Sequence, residues 1–175
     1  YGDTIADVIK NYTALTGRCP LPQLWTLGYH QSRWGYSSQQ EVLELAENFI
    51  NNDLPCDVIH MDIDYMDNYK VFTVDKNKFP DLSGLSNTLQ DKGIRLVTII
   101  DPGTKVEKGY HMYDEGVRNH YFAQTPEGDI YENVVWPGDS VFPDYTSSTV
   151  RNWWGSQTKL LVDQGISGIW NDMNE

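Results

Sequence analysis

Little in this 175-residue chain points to a membrane, a nucleic acid or a disulfide scaffold. No apolar run approaches the roughly 18 consecutive residues that a membrane span needs, so no membrane partner is expected. Basic residues are scarce: 13 Lys and Arg against 25 Asp and Glu leave a net charge of −12. Phosphate backbones would be repelled by such a surface, which argues against nucleic acid. Cysteine is almost absent. Cys19 and Cys56 make no disulfide framework, and neither lies in a redox or zinc spacing. The simplest reading is a cytoplasmic protein with free thiols. The 4 histidines show no H-E-x-x-H pattern and read as structural or substrate-contacting groups rather than metal ligands. Neither a repeat nor a low-complexity tract is evident. The first residues, Tyr1-Gly2-Asp3, carry no signal-peptide pattern and look like the middle of a longer chain.

What the chain has in excess is aromatic side chains, 13% of its residues, with 6 Trp and 11 Tyr. Part of that excess must be core, because large rings are strong burial groups. With 39% hydrophobic residues the chain can bury a core of its own as one domain. Several rings, however, stand next to carboxylates, which favours a carbohydrate site.

Periodicity alternates between helix and strand. Ile5, Val8, Ile9, Tyr12 and Leu15 recur at helical spacing, so residues 4–15 read as a helix followed by Gly17. Residues 24–29 read as a first strand. Ser38-Gln39-Gln40-Glu41 is a capping-box sequence, and Val42, Leu45, Ala46, Phe49 and Ile50 form the apolar face behind it. Residues 57–63 read as a second strand. Leu82, Leu85 and Leu89 mark a helix closed by Gly93, and residues 94–100 a strand apolar enough to be buried on both faces. Turns at Pro126-Glu127-Gly128 and Trp136-Pro137-Gly138 suggest an inserted hairpin near residues 121–138. Val150, Trp153, Trp154 and Leu161 give a last helix, ended by Gly165, before a fourth apolar run at residues 166–169. Strands alternating with helices imply parallel βαβ units, either half of an eightfold barrel or a small doubly wound sheet.

Every strand end is decorated. The first leads into His30-Gln31-Ser32-Arg33-Trp34, the second into Asp62-Ile63-Asp64-Tyr65-Met66-Asp67, the third into Asp101-Pro102-Gly103 and the fourth into Asp172-Met173-Asn174-Glu175. Polar groups gathered at the carboxyl ends of parallel strands are what a barrel active site needs. Trp170 falls on the same strand face as Asp172, since side chains alternate with a period of two. A carboxylate beside an indole suits a sugar: the ring covers C–H patches and the carboxylate meets developing positive charge. Taken alone, Asp172 could equally be an acidic helix N-cap. The cluster from Asp62 fails as an EF-hand, which needs Gly at its sixth position and Glu at its twelfth, here Asp67 and Thr73. A looser metal site stays open. From the residues alone, Asp62 and Asp172 could be the two carboxylates of an acid/base pair.

The ordered series Leu27-Gly28-Tyr29-His30-Gln31-Ser32-Arg33-Trp34, Asp62-Ile63-Asp64-Tyr65-Met66-Asp67, Ile99-Ile100-Asp101-Pro102-Gly103, Val135-Trp136-Pro137-Gly138, Phe142-Pro143-Asp144-Tyr145 and Trp170-Asn171-Asp172-Met173-Asn174-Glu175 resembles glycoside hydrolase family 31, the α-glucosidase family. The likeness runs from about Tyr12 to Glu175. It implies an α/β fold, the (β/α)8 TIM barrel, with only the first four β/α units in this chain. Residues 1–20 would be an N-terminal helix and its lead-in, and residues 21–175 the first half of the catalytic domain.

The resemblance also implies a retaining, exo-acting α-glucosidase that hydrolyses terminal α-linked glucose from an oligosaccharide. Asp172 matches the catalytic nucleophile. Trp34, Asp62, Ile63, Ile99, Trp136, Trp170 and Met173 match positions that line the sugar pocket. Asp62 becomes a binder of sugar hydroxyls at the closed end rather than a proton donor. Trp34 stands where many starch-type members carry tyrosine. The acid/base aspartate, and an arginine and a histidine that complete the pocket, are expected from later strands, so the chain by itself is expected to be inactive. No cofactor or metal is implied. Rival readings are a non-catalytic carbohydrate-binding fragment or a half-barrel that self-associates through its open edge and, within the family, an α-xylosidase or α-glucosyltransferase.

Overall fold

The computed structural model describes residues 1–173; the last two residues of the Asp172 motif, Asn174 and Glu175, lie outside the described residues. Helices α1 (Ile5–Thr16), α2 (Gln39–Asn51), α3 (Leu82–Asp91), α4 (His111–Asn119) and α5 (Ser148–Val162) alternate with seven strands. Four of these, β1 (His30–Gln31), β2 (Val58–Met61), β3 (Arg95–Ile100) and β7 (Gly168–Asn171), form a parallel sheet in the order β1-β2-β3-β7. Strands β4 (Thr104–Lys105), β5 (Glu132–Val135) and β6 (Gly138–Val141) make a small antiparallel sheet after β3, ordered β4-β6-β5.

Strand β3 is held by α3, the helix that precedes it. Leu82, Leu85 and Leu89 of α3 are buried against the sheet, and each such side chain contributes roughly 1.5–3 kcal/mol relative to exposure. At the end of α3, Gly93 takes φ +80. The Gly93 N–H then donates to the Gln90 carbonyl and the Ile94 N–H to the Leu89 carbonyl, both at 2.9 Å. That is a Schellman motif, and it delivers the chain directly into β3. All of β3 from Leu96 to Ile100 is buried. Ser86 of α3 donates to the Gly165 carbonyl at 2.7 Å, tying α3 to the turn between α5 and β7.

The structure departs from the sequence reading in several places. Residues 24–29 are not a strand: Leu24–Leu27 form a 3₁₀ turn closed by a bond from the Gly28 N–H to the Trp25 carbonyl. Strand β1 begins only at His30, because the sheet edge offers one partner strand and register pairing exists just for His30 with Val58 and Gln31 with Ile59. The fourth strand starts at Gly168 rather than Ile166, whose buried side chain packs into the core ahead of it. The capping box at Ser38 is half formed. Ser38 accepts from the Glu41 N–H at 3.2 Å, whereas the Glu41 carboxylate turns to the Ser37 N–H and hydroxyl at 2.7 and 2.8 Å. Helix α4 had no counterpart in the sequence reading. The strands of the hairpin pair Val135 with Gly138 and Glu132 with Val141, so they run past residue 138. Helix α1 is capped by a reciprocal Thr4–Asp7 box, yet it buries none of its side chains among the described residues. No helix of the described residues is long and apolar enough to cross a membrane.

Candidate active site

One face of the parallel sheet carries the strand-end carboxylates. Alternation along each strand, continued one residue past its end, puts His60 and Asp62 (β2), Val97, Ile99 and Asp101 (β3), and Gly168, Trp170 and Asp172 (β7) on a common face. Register stacks them in rows. Ile99 pairs with Trp170 and Val97 with Gly168, while Met61 pairs with Thr98. Asp62 therefore stands level with Ile99, and Asp101 level with Asp172 one row higher.

Asp62, Ile63, Ile99, Asp101 and Asp172 form the floor and walls of a cleft of about 240 Å³, and Trp34 and Trp136 stand at its mouth. The two indoles are 5.7 Å apart at a 55° tilt. At 70% and 50% exposed they present bare aromatic faces above the carboxylates. Trp136 is held there by the β5–β6 hairpin. Strand β4 pairs Thr104 with Val141 and Lys105 with Ser140, and Gly103 leaves room for Val135: a Cβ on Gly103 would lie 2.5 Å from the Val135 Cγ2. Any larger residue at 103 would lift the hairpin, and Trp136 with it.

The carboxylates differ in environment. Asp62 accepts the Ile63 N–H at 2.7 Å and so caps the short 3₁₀ turn Ile63–Tyr65. Burial raises its pKa, the Ile63 bond partly offsets this, and Asp64 and Asp172 raise it further. Asp101 is pushed up to about 6 by burial first, then by Asp172 and Asp62. Its Oδ1 is buried and has no hydrogen-bond partner among the described residues. Beneath this row, the buried Tyr65 hydroxyl donates to the Ile99 carbonyl at 2.8 Å and fixes the end of β3. Among the described residues, no three His, Cys, Asp or Glu side chains converge in a way that could hold a metal ion.

Of the eight side chains expected at the site, six meet in this cleft: Trp34, Asp62, Ile63, Ile99, Trp136 and Asp172. Trp170 does not. It stands level with Ile99, but its ring packs edge-on 6.2 Å from His60, in a second hollow shared with His30 and Val97. There His30 Nε2 faces the Thr26 carbonyl at 3.2 Å, so that nitrogen carries the proton and Nδ1 accepts from His60 Nε2 at 2.9 Å. Burial and the neighbouring His30 lower the His60 pKa. Met173 also stands apart. It takes φ +53, a left-handed conformation rare for its type, and is 38% exposed outside the cleft lining. Asp101 is the site group missing from the expected set. Its place at a strand's carboxyl end was the available signal.

A model of the glycosyl hydrolases family 31 TIM-barrel domain matches residues 19–175. The chain is 54% identical over 174 residues to alpha-glucosidase 2 of Bacillus thermoamyloliquefaciens, covering 99% of this chain and 22% of that protein. It superposes on the DNJ-bound glucosidase II alpha subunit with a TM-score of 0.91 at 39% identity, over 99% of this chain and 19% of that one. The family 31 alpha-glucosidase of Bacteroides thetaiotaomicron gives a TM-score of 0.89 at 41% identity, over 97% and 29%. The chain thus spans about a fifth of the length of the curated relatives it matches.

Proposed function

The chain belongs to glycoside hydrolase family 31, and from that premise we propose that it is the nucleophile-bearing part of the catalytic barrel of a retaining, exo-acting α-glucosidase. The observation that carries this reading is the cleft itself: Asp172 closes β7 level with Asp101, below an exposed pair of tryptophans and above a floor of Ile63 and Ile99. The substrate is an oligosaccharide with a terminal, non-reducing α-linked glucose.

Asp172 attacks the anomeric carbon while an acid outside these residues protonates the departing glycosidic oxygen. A covalent glycosyl-enzyme forms, and water later releases it with the same group acting as base. A retaining mechanism needs two carboxyl groups about 5–5.5 Å apart, and the family resemblance brings the second from later strands rather than from Asp101. Asp62 accepts hydrogen bonds from the sugar hydroxyls at the closed end, and the apolar floor packs against the C–H face of the ring. Trp34 and Trp136 flank the path of the leaving sugar.

Replacing Asp172 by Ala in the intact enzyme tests this. Turnover of an aryl α-glucoside should fall by several orders of magnitude, while the fold survives because Asp172 lies past the end of β7. Retention of ordinary turnover would refute the reading. A panel of aryl α-glycosides separates glucoside from xyloside preference, and product analysis separates hydrolysis from glucosyl transfer.

A further inference from the structure

Three carboxylates end three neighbouring strands, and the function proposed above employs two of them. The third, Asp101, is 7% exposed, lines the cleft and has one buried oxygen with no partner among the described residues. Continuing the β3–β7 register past the Ile100–Asn171 pair sets Asp101 beside Asp172. The two are on one face, at the roughly 4.8 Å separation of adjacent strands. The backbone holds this juxtaposition, with the Asp172 N–H donating to the Ile100 carbonyl at 3.3 Å. Two ionised carboxylates side by side in a half-dry cleft repel, and a buried oxygen lacking a donor is unfavourable. A single proton relieves both, because a protonated carboxyl donates where a carboxylate can only accept.

We infer that Asp101 is a positioning residue for the nucleophile: its protonated carboxyl donates a hydrogen bond to the Asp172 carboxylate and holds it, ionised, against the anomeric carbon. This rests on the reading of Asp172 as the nucleophile. The groups facing Asp101 are Asp172 after β7, Asp62 after β2 and the Tyr65 hydroxyl below. None of them is cationic, so nothing among the described residues stabilises a third negative charge. Burial and the two flanking carboxylates accordingly push the Asp101 carboxyl up to about 6. The arginine and histidine that the family resemblance brings from later strands complete the same pocket, so the measurement belongs on the intact enzyme.

The test compares Asp101→Asn and Asp101→Ala with the parent. The amide keeps a donor and the side-chain shape but does not titrate; alanine removes the donor. Deleting one preorganised donor in an active site costs about 10²–10³ in kcat, and a group acting through the nucleophile should cost toward the lower end. We expect Asp101→Ala to lose about 10²-fold in kcat with KM little changed, and Asp101→Asn to recover most of that loss. The parent should shed activity as pH climbs past about 6, in a step that Asp101→Asn lacks. Identical pH profiles for parent and Asp101→Asn, or a loss confined to KM, would overturn the inference. A mechanism-based fluoroglycoside keeps the two claims apart. Label on Asp172 with no effect of either Asp101 variant removes only the positioning role, whereas label elsewhere removes the nucleophile reading first.

Discussion

Asp62→Asn is the substitution whose outcome can be worked furthest from the geometry. One Asp62 oxygen is already engaged by the Ile63 N–H at 2.7 Å. The amide oxygen of asparagine can accept that same bond, so the Ile63–Tyr65 turn and its buried Ile63 and Tyr65 side chains should stay in place. What changes is the other position, where a charged acceptor facing the cleft becomes an NH₂ donor. A hydrogen bond to a charged group contributes about 1.5–3 kcal/mol. Loss of two such bonds to sugar hydroxyls is worth about 3–6 kcal/mol, which lowers kcat/KM by about 10²–10⁴. Burial already disfavours the Asp62 charge, so thermal stability should hold or rise. The assay is kcat/KM for an aryl α-glucoside and for its deoxy analogues, in the intact enzyme. Analogues lacking the contacted hydroxyl should suffer a much smaller loss. Equal losses on all of them, or a fall in melting temperature, would refute the binding role and make Asp62 a structural cap.

The raised Asp101 carboxyl has a consequence for stability as well as for catalysis. Its folded value of about 6 lies above the ordinary 3.8, so its contribution to folding is fully present below about pH 4 and is lost as pH rises through about 6. Asp101→Asn should therefore be more stable than the parent at pH 7, by about 1–2 kcal/mol once solvent access through the cleft is allowed for. The gain should vanish at pH 4 in urea melts, and a gain that grows toward acid pH would contradict this. Trp34, exposed and beside Trp136 at the mouth, should narrow the route of a rigid α-1,4 neighbour more than that of an α-1,6 one with its extra rotatable bond. The intact enzyme should then favour isomaltose over maltose, and Trp34→Tyr should shift kcat/KM toward maltose by about 1–3 kcal/mol; a parent that already favours maltose would count against it. Expressed alone, the 175-residue chain should show no α-glucosidase turnover and should self-associate through the edges of β1 and β7, so a monodisperse monomer by light scattering would oppose that picture.

The interior of the fold was legible in the sequence where burial leaves an unbroken signal. Strand β3 reads as a continuous apolar run because both of its faces are covered, and α3 reads from its leucine stripe and the glycine that ends it. The edge was harder. Leu24 and Leu27 look like strand residues, but they are exposed among the described residues and sit on a 3₁₀ turn, and β1 is only two residues long. Helix α4 escaped notice because only Met112 and Gly116 of its nine residues are buried, the second to admit the Phe122 ring. At the site, the strand-end carboxylates were visible as residue types in order, and the family likeness gave Asp62 and Asp172 separate roles. The direction of a side chain within its row was not visible. Trp170 shares a row with Ile99, yet its ring turns to His60 and away from the cleft, and alternation alone gives the face but not the neighbour. Asp101 likewise becomes distinct from any other strand-end aspartate only once the β3–β7 register sets it beside Asp172.

The proposed role of Asp172 as the nucleophile of a retaining α-glucosidase is tested most directly by inactivating the intact enzyme with a mechanism-based fluoro-α-glucoside, digesting it and locating the trapped sugar by mass spectrometry. One glucosyl adduct is expected, on the peptide containing Trp170-Asn171-Asp172-Met173, with the ester at Asp172. An adduct on Asp62, Asp101 or Glu175, or turnover that inverts the anomeric configuration with no adduct at all, would contradict it.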